Sequence, residues 1–259
     1  MNVPSVNEIF ALGIFSLTEA GIMPKYKRIL LKLSGEVLAG KKHSGIDFAT
    51  VQDFAVKLAE IRNAGIELSL VIGGGNMLRG RDAQDLGFDR VSLDGIGMLG
   101  TVMNALAVKT ALRNIGVPAE VLSAIGMPPV AELYNREHAR ALLKSGSIVL
   151  FAAGTGHPLF STDTAAALRA SELGLDCVVK GTKVDGIYDK DPNKYNDAVF
   201  FPELTYSEAI RRELNVMDTA AFALCRENNI PVWVMSIQGT DWAGNIIEGR
   251  NVGTIVKED

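Results

Sequence analysis

Glycine together with a hydroxyl, an amide or a lysine recurs at four points of the chain, each after a short apolar run. They are Lys32-Leu33-Ser34-Gly35-Glu36, Ile72-Gly73-Gly74-Gly75-Asn76, Ala153-Gly154-Thr155-Gly156 and Lys180-Gly181-Thr182-Lys183. Glycine lets backbone N–H groups approach phosphate oxygens, a helix N-terminus adds partial positive charge, and lysine supplies a point charge. Together the four blocks read as a polyphosphate site. Taken singly, a Gly-rich turn is more simply the left-handed turn a chain makes after a strand. Lys32, set in an apolar run where an unpaired charge is costly to bury, either projects toward an anion or sits solvated at a sheet edge. Four coincident endings favour the phosphate reading.

Other chemistries are excluded by pattern. The sequence has no G-x-x-x-x-G-K-[ST] run, and Gly73-Gly74-Gly75 does not spell the dinucleotide fingerprint. It has no His pair at metal-ligand spacing and no G-x-S-x-G elbow. His157 follows Gly156 with no carboxylate at a diagnostic spacing, so a catalytic base is not expected there. Cys177 and Cys225 lie in apolar settings and read as buried thiols of a reducing compartment. A formal net charge of -4 argues against a general nucleic-acid or anionic-membrane surface and leaves small anionic ligands open.

The elements that must position these residues alternate. Strand-like runs at 29–33, 66–72, 119–123, 147–153, 175–180, 230–236 and 253–256 are interleaved with helical patterns at 47–64, 94–115, 163–173, 206–212 and 217–228. The pattern predicts an α/β chain, one three-layer α/β/α sandwich with a mostly parallel central sheet. In such sheets ligands bind beyond the carboxyl ends of the strands, where the four blocks fall. The 259 residues, 47% apolar, suffice for one core. Residues 1–22 break the pattern and read as an N-terminal extension or misplaced start, disordered, ahead of a domain spanning 23–259. The apolar stretch 9–15 is too short to span a bilayer, and no basic residue precedes it, so a secretory signal is not expected.

In order and spacing these segments closely resemble the bacterial uridylate kinases, a branch of the amino-acid-kinase family, from about Tyr26 to the C-terminus. The resemblance is carried by Tyr-Lys-Arg-Ile-Leu-Leu-Lys-Leu-Ser-Gly-Glu (26–36), Val-Ile-Gly-Gly-Gly-Asn (71–76) with Arg79-Gly80, and Asp94 followed by Gly-Met-Leu-Gly-Thr-Val-Met-Asn (97–104). It continues through Ala153-Gly154-Thr155-Gly156 with Thr162-Asp163, Thr-Lys-Val-Asp-Gly-Ile-Tyr (182–188) with Asp191-Pro192, Leu204-Thr205-Tyr206 and Val216-Met217-Asp218.

The resemblance implies a cytoplasmic enzyme that passes the γ-phosphate of ATP, with Mg²⁺, to UMP in pyrimidine nucleotide biosynthesis. It implies Lys32, Leu33, Ser34, Gly35, Gly75 and Arg79 as the ATP phosphate cradle, and Thr182, Tyr188 and Asp191 as contacts to the adenosine part. Tyr188 is also readable as a loop-packing aromatic. Gly74, Asp94 and the loop Thr155, Gly156, His157, Pro158, Leu159, Phe160, Ser161 and Thr162 are implied as the UMP site. Lys32, Arg79 and Asp163 are implied as catalytic, with Asp163 orienting Lys32 or holding a metal-bound water; no protein ligands of Mg²⁺ are assigned. Relatives imply a homo-oligomer, a hexamer, and UTP as feedback inhibitor. Glu120 and Ser147 stand where GTP-activated members carry arginine, which speaks against activation by GTP.

Two rivals are weighed. An amino-acid or carbamate kinase of the same fold would need a site for a carboxylate and ammonium substrate. Acetylglutamate kinase has a second lysine after a Gly-Gly-Met block, where this chain has Val216-Met217-Asp218-Thr219-Ala220-Ala221. A noncatalytic storage or regulatory relative could dispense with Lys32, Arg79 or Asp163, and all three are present.

Overall fold

The computed structural model describes residues 24–42, 44–78, 87–214, 217–239 and 241–258. The expected extension at 1–22 and the catalytic candidate Arg79 lie outside the described residues. In chain order the elements are β1 (Arg28–Leu33), α1 (Phe48–Asn63), β2 (Glu67–Ile72), α2 (Arg90–Asn114), β3 (Ala119–Ser123), β4 (Glu132–Leu133), α3 (Arg136–Lys144), β5 (Ile148–Ala152) and α4 (Thr162–Leu173). There follow β6 (Cys177–Thr182), β7 (Ile187–Tyr188), β8 (Phe200–Phe201), β9 (Glu203–Thr205), α5 (Tyr206–Arg211), α6 (Thr219–Glu227), β10 (Val232–Ser236), α7 (Trp242–Glu248) and β11 (Thr254–Lys257).

The main sheet runs β4-β3-β5-β2-β1-β6-β10-β11-β9, and only the β10–β11 pairing is antiparallel. Strands buried on both faces read as continuous apolar runs, and Ile-Leu-Leu-Lys-Leu of β1 is buried throughout. Their alternation feeds two cores. Ile29, Leu31 and Leu33 face α1, α2 and α7, whereas Leu30 faces α3, α4 and α6. Lys32 shares the parity of Leu30 and is thereby directed toward α4.

The connection from β1 runs to β2 on one side, and that from β6 runs toward β10 on the other, so the crevice between the β1 and β6 carboxyl ends is the switch point of the sheet. Helix α4 crosses from β5 to β6 and starts above this crevice. Ser161 starts it, its Oγ accepting from the N–H groups of Asp163 (3.0 Å) and Thr164 (3.1 Å), and Gly174 ends it at φ 63°. Helix α2 is apolar and long enough to cross a membrane by length and composition. It lies against the sheet, with Val102, Ala105, Val108, Ala111 and Leu112 buried in the first core.

Candidate active site

Lys32 and Lys180 are register partners on the neighbouring parallel strands β1 and β6, so their side chains rise side by side on one face of the sheet. Asp163, in the first turn of α4, stands over them. Its Oδ1 is 2.6 Å from Lys32 Nζ, and its Oδ2 accepts a hydrogen bond from Lys180 Nζ at 2.7 Å. All three side chains are at most 13% exposed, and the cluster keeps one net positive charge. Burial pushes the Asp163 carboxyl up, but Lys32 and then Lys180 outweigh it and hold the group below the usual carboxylate range. Burial, and next the charge of Lys32, pull the Lys180 ammonium below its ordinary value against the opposing pull of Asp163 and Asp218. A buried site with excess positive charge is suited to an anion whose charge grows during reaction.

The loops beside this cluster are locked by two buried asparagines. Asn104 Nδ2, from α2, donates to Gly73 O (2.8 Å) and Asn76 Oδ1 (2.7 Å), and Asn76 Nδ2 donates to Asn104 Oδ1 (2.9 Å) and Gly45 O (2.7 Å). Gly35 presses on this knot: a Cβ there would lie 2.2 Å from Gly73 O and 2.3 Å from Asn76 Oδ1. Neither obstacle is the end of a flexible side chain with room to retreat. Gly35→Ala is therefore expected to destabilise the fold by about 2–3 kcal/mol, as overpacking does, and to displace the Gly73–Gly75 turn. Thermal unfolding and nucleotide binding measured together check this; an alanine variant with unchanged melting temperature and ATP affinity would contradict it. Ser34 caps the short turn Gly35–Leu38, whereas the Leu33 side chain is buried and its carbonyl accepts from Gly73 N at 2.9 Å.

On the other side of Gly74 and Gly75 lies a cavity of about 370 Å³. Its wall includes both glycines, Asp94, Thr155, His157, Phe160 and Thr162. That volume suits a small ligand such as a nucleoside monophosphate. The Asp94 carboxylate accepts from Leu159 N at 2.7 Å and so fastens the 155–162 loop to α2. Thr101 Oγ1 accepts from Ala153 N at 2.8 Å, holding Ala153 at φ 61°; Leu159 sits at φ 70°. Two non-glycine residues thus hold left-handed conformations within seven positions of this loop.

Not every expected residue converges. Gly156 belongs to the loop turn at φ 82°, and Pro158 and Leu159 carry the loop without lining the cavity. Ser161 is turned to the N-terminus of α4. Thr182 Oγ1 donates to Val184 O (2.6 Å), Asp191 Oδ1 accepts from Asn193 N (3.0 Å), and Tyr188 packs on Phe200 with ring centroids 5.3 Å apart. These three shape the segment after β6. Lys180 was visible only as part of a strand-end block, without a role. It lies within β6, not beyond its end, and only the β1–β6 register reveals it as the partner of Lys32.

Comparison with known proteins agrees with the fold. Residues 27–236 match the amino acid kinase family. A protein named uridylate kinase from Mesorhizobium japonicum is 50% identical over 238 residues, covering 92% of this chain and 99% of that one. The crystal structure of UMP kinase from Bacillus anthracis superimposes with a TM-score of 0.87 at 36% identity, covering 90% of this chain and 97% of that one. UMP kinase from Ureaplasma parvum gives 0.85 at 36% identity, covering 90% and 100%.

Proposed function

The chain belongs to the amino acid kinase family, and on that premise we propose that it is a UMP kinase, passing the γ-phosphate of ATP to UMP to give ADP and UDP. One observation carries this reading. The cavity that has Asp94 in its wall also has Gly74, Gly75 and Thr162 there, and Thr162 precedes Asp163, which grips Lys32 and Lys180. In this reading acceptor and donor sites share a wall beside the charged cluster.

Phosphoryl transfer spreads charge over the equatorial oxygens and asks a protein for positioning and electrostatics. In the proposed reaction Lys32 and Lys180 meet that charge, and Asp163, an acceptor only, keeps both lysines charged and aimed. Ser34, Gly35 and Gly75 present backbone N–H groups to the ATP phosphates, and Arg79 adds a further cation on sequence grounds. Thr182, Tyr188 and Asp191 are assigned to the adenosine side, Asp94 to the ribose hydroxyls of UMP, and the loop Thr155–Thr162 to its phosphate and base. The UMP phosphate is itself the nucleophile and is largely ionised at neutral pH, so no general base is required. Mg²⁺ enters with the ATP phosphates as part of the substrate. Each oxygen of Asp163 lies at ion-pair distance from a lysine, and no cluster of three or more His, Cys, Asp or Glu suited to a metal occurs among the described residues.

Asp94→Asn is expected to raise the KM for UMP about tenfold, the value of a lost charge-assisted hydrogen bond, and that for ATP less than twofold. Steady-state kinetics with each nucleotide varied in turn decides it, and an effect confined to ATP would mean that the two subsites are interchanged. The functional reading is tested by coupled ADP release with UMP, CMP, AMP, acetylglutamate and carbamate offered in parallel. Turnover with UMP alone is expected; ATP binding without turnover on any acceptor would overturn it.

The proposal extends to a cytoplasmic homo-oligomer, a hexamer, inhibited by UTP. The outward face of α2, where Val91, Ile96, Leu99 and Met103 are each about half exposed, supports subunit contact. Glu120 is engaged by Lys109 and Arg113 where an arginine would serve GTP, which supports leaving GTP activation out.

A further inference from the structure

Two helix starts meet behind the charged cluster. Asp218 starts α6, its Oδ1 accepting from Ala221 N at 2.8 Å. The same carboxylate accepts from Thr164 Oγ1, 2.9 Å from each oxygen, and from the Ser161 hydroxyl. Ser161 is the residue whose Oγ receives the Asp163 and Thr164 N–H groups at the start of α4. One carboxylate therefore ties the first turn of α4 to the start of α6, and that turn carries Thr162 and Asp163 into the crevice.

We propose that Asp218 is a positioning residue for phosphoryl transfer: through Ser161 and Thr164 it sets where Asp163 stands above Lys32 and Lys180. The proposal rests on the UMP kinase reading and names a further residue of that site.

The chemistry follows from the hydrogen-bond inventory. An ionised carboxylate accepts from several donors at once, whereas asparagine offers a single oxygen and adds an NH₂ that must find acceptors of its own. In Asp218→Asn the start of α6 and the two hydroxyls of α4 compete for that oxygen, and the Asp163 turn loses its fixed height above the lysines. Among the described residues, the groups that bear on Lys180 include Lys32 from β1, Asp163 from α4 and Asp218 before α6; the Cys225 thiol of α6, close to Asp163 and Asp218, is pushed up to about 12 by burial. Asp218 favours the charged form of Lys180, so its removal lets the ammonium lose its proton at lower pH.

The test measures kcat against pH at saturating Mg-ATP and UMP for the wild-type chain, Asp218→Asn, Asp218→Glu and Thr164→Val. In Asp218→Asn kcat is expected to fall about 10²-fold, as for a displaced catalytic group, with both KM values within twofold. Its alkaline limb is expected to move to lower pH. Asp218→Glu, which keeps the charge, should return the limb to the wild-type position while kcat stays low. Thr164→Val removes one donor and keeps the charge; it should lower kcat with the limb unmoved. Asp218→Asn with wild-type kcat, or with low kcat and an unmoved limb, overturns the proposal, and if that variant does not fold, wild-type kcat in Thr164→Val overturns it. No turnover of UMP by the wild-type chain would instead overturn the functional reading beneath it.

Discussion

Lys32→Ala is expected to lower kcat about 10³-fold, or about 4 kcal/mol in the barrier, while the KM for UMP changes little. The size follows from where the ammonium stands. It is 9% exposed, fixed by Asp163, and placed at the carboxyl end of β1, so its interaction with developing phosphoryl charge is not screened by water. It needs no rearrangement at the moment of reaction, which is the condition under which a fixed charge acts most on the transition state. The fold should survive. Without Lys32 the Asp163 carboxylate keeps Lys180 at 2.7 Å, and Ser161 still caps the helix that carries it. A shift in melting temperature of about 5 °C, corresponding to the loss of one paired charge, is therefore the expected ceiling. Arginine should not restore activity, because its planar fork cannot take the place of a compact ammonium wedged beside Lys180. Coupled ADP release with both substrates saturating decides the point: near-normal kcat in Lys32→Ala would remove the lysine from the mechanism.

How far the sequence alone carries depends on the range of the interaction. The apolar runs of β1, β2 and β5 and the glycine blocks after them are local features, and the structure has them where the periodicity predicts. The strand expected at 175–180 begins at Cys177, because Gly174 in a left-handed turn and Leu175 still belong to the end of α4. Helix α3 was not anticipated. Its nine residues, of which Ala139 and Leu143 are buried, are shorter than the window over which a helical period is read. Helix α7 is seven residues long and contains Gly244, and β4, β7 and β8 are two residues each, below what a pattern can resolve. The site divides in the same way. Lys32, Gly74, Gly75, Asp94 and Thr162 were legible as parts of blocks. Lys180, Asn104 and Asp218 also stand in those blocks, but their roles depend on strand register or on helix-to-helix contact across 50 or more positions for the first and last, and on the α2 packing for the second, which no local signal encodes.

Asp163→Asn should be the most damaging single change at the site, in activity and in stability together. Lys32 and Lys180 are adjacent because the β1–β6 register makes them so, and neither can turn away without leaving the sheet face. Asparagine leaves two buried ammonium groups with no countercharge between them, and breaking a buried ion pair from one side typically costs about 3–5 kcal/mol. The pH dependence has a definite sign. The lysines hold the Asp163 carboxyl below its unfolded value, so the stability it contributes is complete above the ordinary carboxylate range and is lost as pH falls through the lowered folded value. Urea unfolding should therefore show wild type and Asp163→Asn far apart at neutral pH and converging in acid. Lys180, already pulled down by burial and by Lys32, loses its principal counterion and sheds its proton at still lower pH. The variant then has one cation fewer where the phosphoryl group passes and no group to aim the other, so kcat should fall at least about 10³-fold. Equal stabilities at neutral pH, or a stability gap that persists unchanged into acid, would show that the carboxylate is not the charge around which Lys32 and Lys180 are arranged.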